Sequence, residues 1–225
     1  MKETKKIRVK VKKRKLKVKM ILLFILMLLL LILFIYYLFN IKIQNIYVIN
    51  NNIVSDKEII EYAKLKDYPP YLTSLGYKIK KDLLKNPYIK EVEVKKKRFK
   101  IYIKVTEYKM LVLYNEKILL ENNILLDNEY NIMGLPIIIN EIDTLKFSEA
   151  FSKINNDVLL KISQIEYSPN DVDNERYLLY MNDGNSVYIT LSKINKLNKY
   201  SNIVSNLEGK NGIIYLDSGD YIELK

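Results

Sequence analysis

Across 225 residues the chain has no cysteine, no histidine and no tryptophan, and it holds only six glycines and five prolines. Without Cys or His there can be no thiol nucleophile, no Ser/His/Asp triad and no zinc site of the thiolate or imidazole kind. The missing cysteines also remove disulfides, so an exported domain must stand on its core alone or live where none are formed. So few glycines leave no phosphate-cradling loop. Carboxylate chemistry survives this elimination, yet the acids are poorly placed for it. Glu91 and Glu93 share one strand face whose neighbours mark it as solvated. Asp171, Asp173, Asn174 and Glu175 lack the Gly and distal Glu of a twelve-residue calcium loop. No catalytic pair, cofactor or metal is expected.

What the chain does have is a run of twenty residues, Met20 to Phe39, free of charge, Gly, Pro and amide side chains. At about 1.5 Å per helical residue the run is roughly 30 Å long, the hydrocarbon thickness of a bilayer. Sixteen of the twenty are Leu, Ile or Phe. A buried core helix is seldom apolar on every side over this length. A cleaved signal would be shorter and end in small residues, whereas this run exits through Tyr36, Tyr37, Phe39 and Asn40. A retained transmembrane helix over residues 20–39 follows, with the tyrosines at an interfacial belt.

The net charge of +11 is concentrated in front of that run, where residues 1–19 carry eleven Lys and Arg against the single Glu3. A basic flank beside a span stays in the cytoplasm, so residues from Asn40 onward are expected outside it. The same flank attracts anionic lipid headgroups. A DNA-binding arm would use the same residues, but topology accounts for them without a further partner, and no nucleic acid is expected.

Beyond the anchor, Ile41, Ile43, Ile46 and Val48 read as a strand ending at Asn50 to Asn52. Ser55 followed by Glu58 forms a capping box for a helix with Ile59, Ile60 and Ala63 on one face, which Tyr68, Pro69 and Pro70 end. A second helix spans about Gly76 to Lys85 on the stripe Ile79, Leu83 and Leu84. Val92 and Val94, then Ile101, Ile103 and Val105, alternate as two strands joined by a turn at Lys95 to Arg98. Further on, Met110–Tyr114, Ile118–Leu120 and Ile124–Leu126 suggest a meander, and Phe147 to Ile162 one helix lying across it. Strands at Ile165–Tyr167, Tyr177–Met181 and Val187–Thr190 flank the turn Asp183–Gly184. Ser192 is placed to cap a helix with Ile194, Leu197, Ile203 or Val204, and Leu207 inward. The chain closes with Gly212–Leu216, a turn at Asp217–Asp220, and Tyr221–Leu224. The nineteen tyrosines mostly occur singly in apolar runs, as Tyr47, Tyr102, Tyr114 and Tyr188 do, and read as half-buried strand positions.

The strand-helix-helix-strand-strand order resembles a POTRA domain, as do the Ser55 to Glu58 helix start, Leu84 and Pro87 before Val92 and Val94, and the closing Val105, Thr106, Glu107. Such a domain directly after a basic tail and a single anchor resembles the FtsQ/DivIB cell-division family. Leu135, Pro136 and Ile137, Asn182 to Gly184, and Lys196 with Leu197 extend the likeness. Two turns depart from the family pattern, carrying Asn51, Asn52 and Glu121, Asn122, Asn123 where Gly is usual; Asn tolerates the left-handed backbone such turns need. The fold expected is α+β: a basic tail 1–19, a transmembrane helix 20–39, a POTRA domain 40–107, and a mainly antiparallel β domain with packed helices over 108–225.

The resemblance implies a non-enzymatic divisome scaffold in the cytoplasmic membrane at the septum, with membrane-anchored partners of the FtsB/DivIC and FtsL type. It implies docking at the C-terminal edge, which on this sequence is Ser218, Gly219, Tyr221 and Ile222. A POTRA receptor for transport would need a barrel that the remaining residues cannot supply. A cell-wall enzyme would need converging acids in a cleft.

Overall fold

A stretch with no charged or amide side chain can satisfy its backbone in lipid only by bonding within itself, which a helix does. In the computed structural model, which describes residues 17–224, this stretch forms α1, Val18–Asn40, with every residue exposed but the half-buried Leu38. The helix runs 23 residues, about 35 Å. Most of the basic tail, residues 1–16, lies outside the described residues.

By contact the chain divides into two units. The first comprises residues up to Ile49, 56–83 and 93–104; the second comprises 50–55, 84–92 and everything from Val105.

The first unit contains β1 (Asn45–Ile49), α2 (Asp56–Tyr62) and α3 (Gly76–Leu83), with parts of β2 (Ile89–Lys97) and β3 (Lys100–Glu107). Its sheet order is β1-β3-β2, and β1 runs parallel to β3 from Asn45 opposite Lys100 to Ile49 opposite Lys104. Ile59, Ile79 and Leu83 of the helices are buried, as are Ala63 just past α2 and Ile101 and Ile103 of β3. Full burial of each Leu or Ile contributes about 1.5–3 kcal/mol, which holds two short helices that would not persist alone.

Four details differ from the sequence expectation, and one is that α2 stops at Tyr62, with Lys64 left-handed at φ +57°, well before Tyr68 and Pro69. The first strand begins at Asn45 because Ile43 N–H donates to Pro69 O and Gln44 N–H to Phe99 O. The turn between β2 and β3 falls on Arg98 and Phe99, since β2 extends to Lys97. Leu84 lies beyond the end of α3 and is exposed.

The second unit carries β4 (Met110–Tyr114), β5 (Lys117–Leu120), β6 (Leu125–Asp127), β7 (Ile137–Ile138), β8 (Ile162–Tyr167), β9 (Arg176–Met181), β10 (Ser186–Thr190), β11 (Gly212–Tyr215) and β12 (Tyr221–Leu224). They form a nine-stranded sheet in the order β12-β11-β10-β9-β8-β7-β4-β5-β6. Neighbouring strands are mostly antiparallel, but β4 with β7, β7 with β8, and β10 with β11 are parallel. Parallel neighbours require a crossover. Between β7 and β8 it is made by α4 (Thr144–Phe151) and α5 (Asn156–Leu159); between β10 and β11, by a 3₁₀ helix (Leu191–Lys199) running into α6 (Tyr200–Ser205). Phe147, Phe151, Ile154, Val158 and Leu159 join Ile165, Leu179, Val187, Ile189 and Ile214 in one core.

The single helix expected over residues 147–162 is thus two. The ammonium of Lys109 donates to the carbonyls of Ser152 and Ile154, while Asn198 accepts from the Asn155 N–H at 2.7 Å and donates to Lys153 O at 3.0 Å. These groups satisfy a helix end that would otherwise be left open. Burial pushes the Lys109 ammonium below the usual lysine range.

Ser192 does not cap a helix. The first turn there is 3₁₀, with Thr190 in the capping place and no side-chain bond. Of the two turns lacking the usual glycine, the second has its left-handed residue at Asn123 as expected, while in the first it is Asn50 rather than Asn51 or Asn52.

Glu107, the acid of the Val-Thr-Glu run, accepts from the backbone N–H of Asn52, Ile53 and Val54 at 2.9–3.1 Å. It ties the 50–55 loop to the end of β3. Glu107→Gln keeps the shape but loses the charge and one acceptor, and should lower the unfolding free energy by about 1–2 kcal/mol, read from denaturant midpoints.

Candidate functional site

The nine-stranded sheet ends in β12 on one side and β6 on the other, and β12 is the edge formed by the last strand. Strand β12 pairs with β11 alone, in the register Gly212 to Leu224, Ile213 to Glu223, Ile214 to Ile222 and Tyr215 to Tyr221. All four of its residues are exposed. An edge strand presents a row of unpaired N–H and C=O groups along its outer side. Natural sheets usually blunt such an edge with Pro, Lys or a bulge. None of these occurs in Tyr221–Leu224, where Glu223 is the only charge.

Of the residues expected from sequence, Tyr221 and Ile222 lie on this strand, 45% and 38% exposed. Ser218 and Gly219 fall in the preceding turn, where Gly219 has φ +72° and Asp220 φ +51°. The four are neighbours, but only two offer the strand itself.

That turn is held from several sides. Arg176 of β9 donates from Nε to Asp217 at 2.6 Å and from Nη1 to Ser168 O at 3.4 Å. Both Arg176 and Asp217 side chains are largely buried, 14% and 7% exposed. Lys193 donates to the backbone oxygen of Asp217, and Lys196 pairs with Asp220 at 2.6 Å. Burial pushes the Asp217 carboxyl up, but the hydrogen bond and charge of Arg176 outweigh it, so the group titrates below the usual aspartate range.

An aromatic ladder links the same elements. The Arg176 guanidinium lies 3.6 Å from the Tyr188 ring centre, Tyr188 stacks on Tyr215 at 5.3 Å, and Tyr215 on Tyr221 at 4.4 Å. Their rings face one another, so the ladder braces β9 to β12 rather than offering free faces for a ligand. Beside the hairpin is a groove of about 400 Å³ with Ile203, Ile214, Leu216, Tyr221 and Ile222 as its apolar lining.

Sequence inspection placed Asp217 in the turn and Lys196 in the family likeness, but gave neither a bracing role and missed Arg176 and Lys193. One signal was available, because the chain has 33 Lys and only four Arg. A lone Arg among lysines suits a bidentate or stacked buried site.

The acids elsewhere have structural duties. A cavity of about 670 Å³ gathers Glu141, Asp143 and Glu175. Asp143 caps α4 by accepting from Leu145 and Lys146 N–H, and Glu175 pairs with Lys146 at 2.7 Å. Glu91 and Glu93 are exposed, and Glu93 pairs with Lys95 at 2.8 Å.

A β-α-α-β-β unit after an apolar helix, followed by a large mixed sheet with an open terminal strand, defines an FtsQ-type POTRA protein. Residues 41–108 match the family described as "POTRA domain, FtsQ-type". The chain is 33% identical over 195 residues to cell division protein DivIB of Bacillus subtilis (strain 168), covering 81% of this chain and 74% of that one. The DivIB of Bacillus anthracis is 31% identical over 193 residues, covering 80% and 72%. This chain belongs to the DivIB family of cell-division proteins. The extracytoplasmic domain of Geobacillus stearothermophilus DivIB aligns with a TM-score of 0.38 at 25% identity, covering 46% of this chain and 96% of that one. The kinship assigns the chain to cell division, and α1 is long and apolar enough to cross a membrane once.

Proposed function

We propose that the chain is a bitopic scaffold of the divisome: its basic tail stays in the cytoplasm, its folded units lie outside at the septum, and it acts by binding. The occupant of the β12 edge is a strand from a membrane-anchored partner of the FtsB/DivIC and FtsL type. The observation that carries this reading is the exposed, unguarded β12 at the end of a braced sheet. Backbone hydrogen bonds along such an edge give affinity, and alternate side chains give selectivity. Anchoring both partners in one bilayer raises their effective concentration, so a short edge contact suffices. In the cavity that gathers three acids, Asp143 caps α4 and Glu175 pairs with Lys146, which supports binding over catalysis.

Removing residues 217–225 from the full-length chain is expected to abolish co-purification of the membrane partners. Ile222→Asp, a change at an exposed position, should weaken capture at least about tenfold by opposing strand pairing beside it. Undiminished capture by the shortened chain sinks the edge as the binding site.

A further inference from the structure

We infer that the first unit beds a basic and aromatic rim, built from Tyr71, Leu72 and Phe99 with Lys42, Lys97 and Arg98, into anionic headgroups of the leaflet from which α1 emerges. The occupant is the lipid surface itself.

Depth is the first argument. Met20–Phe39 spans the roughly 30 Å hydrocarbon core, and the headgroup layer adds about 5–7 Å on each side. Ile41 stands two residues past that run, about 3 Å further if the rise continues, which is headgroup depth. The chain does not swing free there. Ile41 O accepts from Tyr71 N–H at 2.8 Å, Ile43 N–H donates to Pro69 O at 3.1 Å, and Gln44 N–H donates to Phe99 O at 2.9 Å. Lys42 also bridges to Pro70. The 69–72 loop and the β2–β3 turn are therefore fastened to the anchor within the headgroup layer.

Chemistry is the second. Leu72 and Phe99 are 40% and 37% exposed, and Lys42, Lys97 and Arg98 are exposed beside them. Tyr71 packs edge-on to Phe99 at 5.3 Å, with the Lys96 ammonium 4.1 Å over its ring. Apolar and aromatic groups beside flexible cations are what a membrane interface favours. The 64–75 loop carries one acid, Asp67. Beyond the anchor the first unit holds thirteen basic and six acidic residues, a net +7, whereas the second unit holds thirteen and nineteen, a net −6. The near-neutral total hides this asymmetry, and the positive unit is the one attached to the membrane.

The turn supplies the third. Arg98 and Phe99 both sit left-handed, with φ +48° and +61°. Asn-Gly is the unstrained choice for such a turn, and bulky residues there are strained. Strain is kept where the residues serve something besides the turn.

The absence of cysteine allows a clean test. A fluorophore is placed on Leu72→Cys or, as a control, on the 95% exposed Val172→Cys of the full-length chain. Each sits in nanodiscs of phosphatidylglycerol and phosphatidylcholine containing headgroup-quencher lipid. The Leu72 label is expected to be quenched and the Val172 label not. Lys97→Gln/Arg98→Gln should lower the docked-to-free ratio roughly thirtyfold, and so should pure phosphatidylcholine. Arg98→Asn should raise thermal stability while reducing docking about fivefold. A Leu72 label as unquenched as the control refutes the docking, including the case where another protein covers the rim, since the discs hold this chain alone. Equal quenching in pure phosphatidylcholine refutes the role of charge. Loss of partner capture at β12 leaves all these readouts unchanged, so the two proposals fail separately.

Discussion

Arg176→Ala is expected to destabilise the second unit by about 3–5 kcal/mol, because it strands the Asp217 carboxylate in a site where only 7% of that side chain meets solvent. It removes the Nε bond at 2.6 Å, the bond to Ser168 O and the cation over Tyr188 in one step. The measurement is the denaturant midpoint of the full chain in detergent, followed by tyrosine fluorescence. The partner substitution separates charge from packing. In Asp217→Asn/Arg176→Ala no charge is stranded, so the double variant should be more stable than Arg176→Ala alone. If the two are equally unstable, the pair is not what holds the hairpin. Under the proposed function, Arg176→Ala also loses partner capture although Arg176 lies three strands away from β12, because the turn that aims β12 is released.

The same pair sets an acid response. The folded-state value of Asp217 lies below its unfolded one, so its contribution is complete above the ordinary aspartate value of about 4. It is lost as pH falls through the lower folded value. Partner capture should therefore fail in acid below about pH 4, and Asp217→Asn should flatten that part of the stability profile.

The second large effect is expected at Phe151, which is fully buried, stacks on Phe147 at 3.8 Å and lies edge-on to Tyr177 at 6.3 Å. Phe151→Ala removes a large ring from the centre of the core and should cost about 3–5 kcal/mol, as transfer and cavity terms add. Phe151→Leu keeps most of the volume and should recover more than half of that loss. Thermal unfolding distinguishes them; a loss below about 1 kcal/mol for the alanine variant would mean the helix does not hold the sheet. The first unit has its own core and should keep its transition in both variants.

Much of this architecture could be read from local pattern. Twenty uncharged residues in a row admit only a spanning or fully buried helix, and such a helix forms. Period-two alternation at Ile101, Ile103 and Val105 placed a strand whose inward residues are all buried, and Phe147, Ala150, Phe151 and Ile154, spaced for one face of the expected helix, are buried even though that helix is broken. Hydrophobic side chains record which face is inward whatever the connection does. The terminal hairpin was legible too, since the turn at Asp217–Asp220 separates two short strands, β11 and β12.

Other features depend on residues far apart in sequence, and no local pattern holds them. The break between α4 and α5 is set by Lys109 and Asn198, each more than forty residues away from a carbonyl it satisfies. The parallel neighbours β7 and β8 follow from which strand a crossover reaches, which periodicity does not encode. The brace on the terminal hairpin joins Arg176 to Asp217 across forty-one residues. Composition and alternation thus determined the anchor, the element types and their buried faces, because those depend on neighbours along the chain. Only tertiary structure decided strand order, the split helix and how β12 is held, because those rest on charges and carbonyls that meet after the chain has folded.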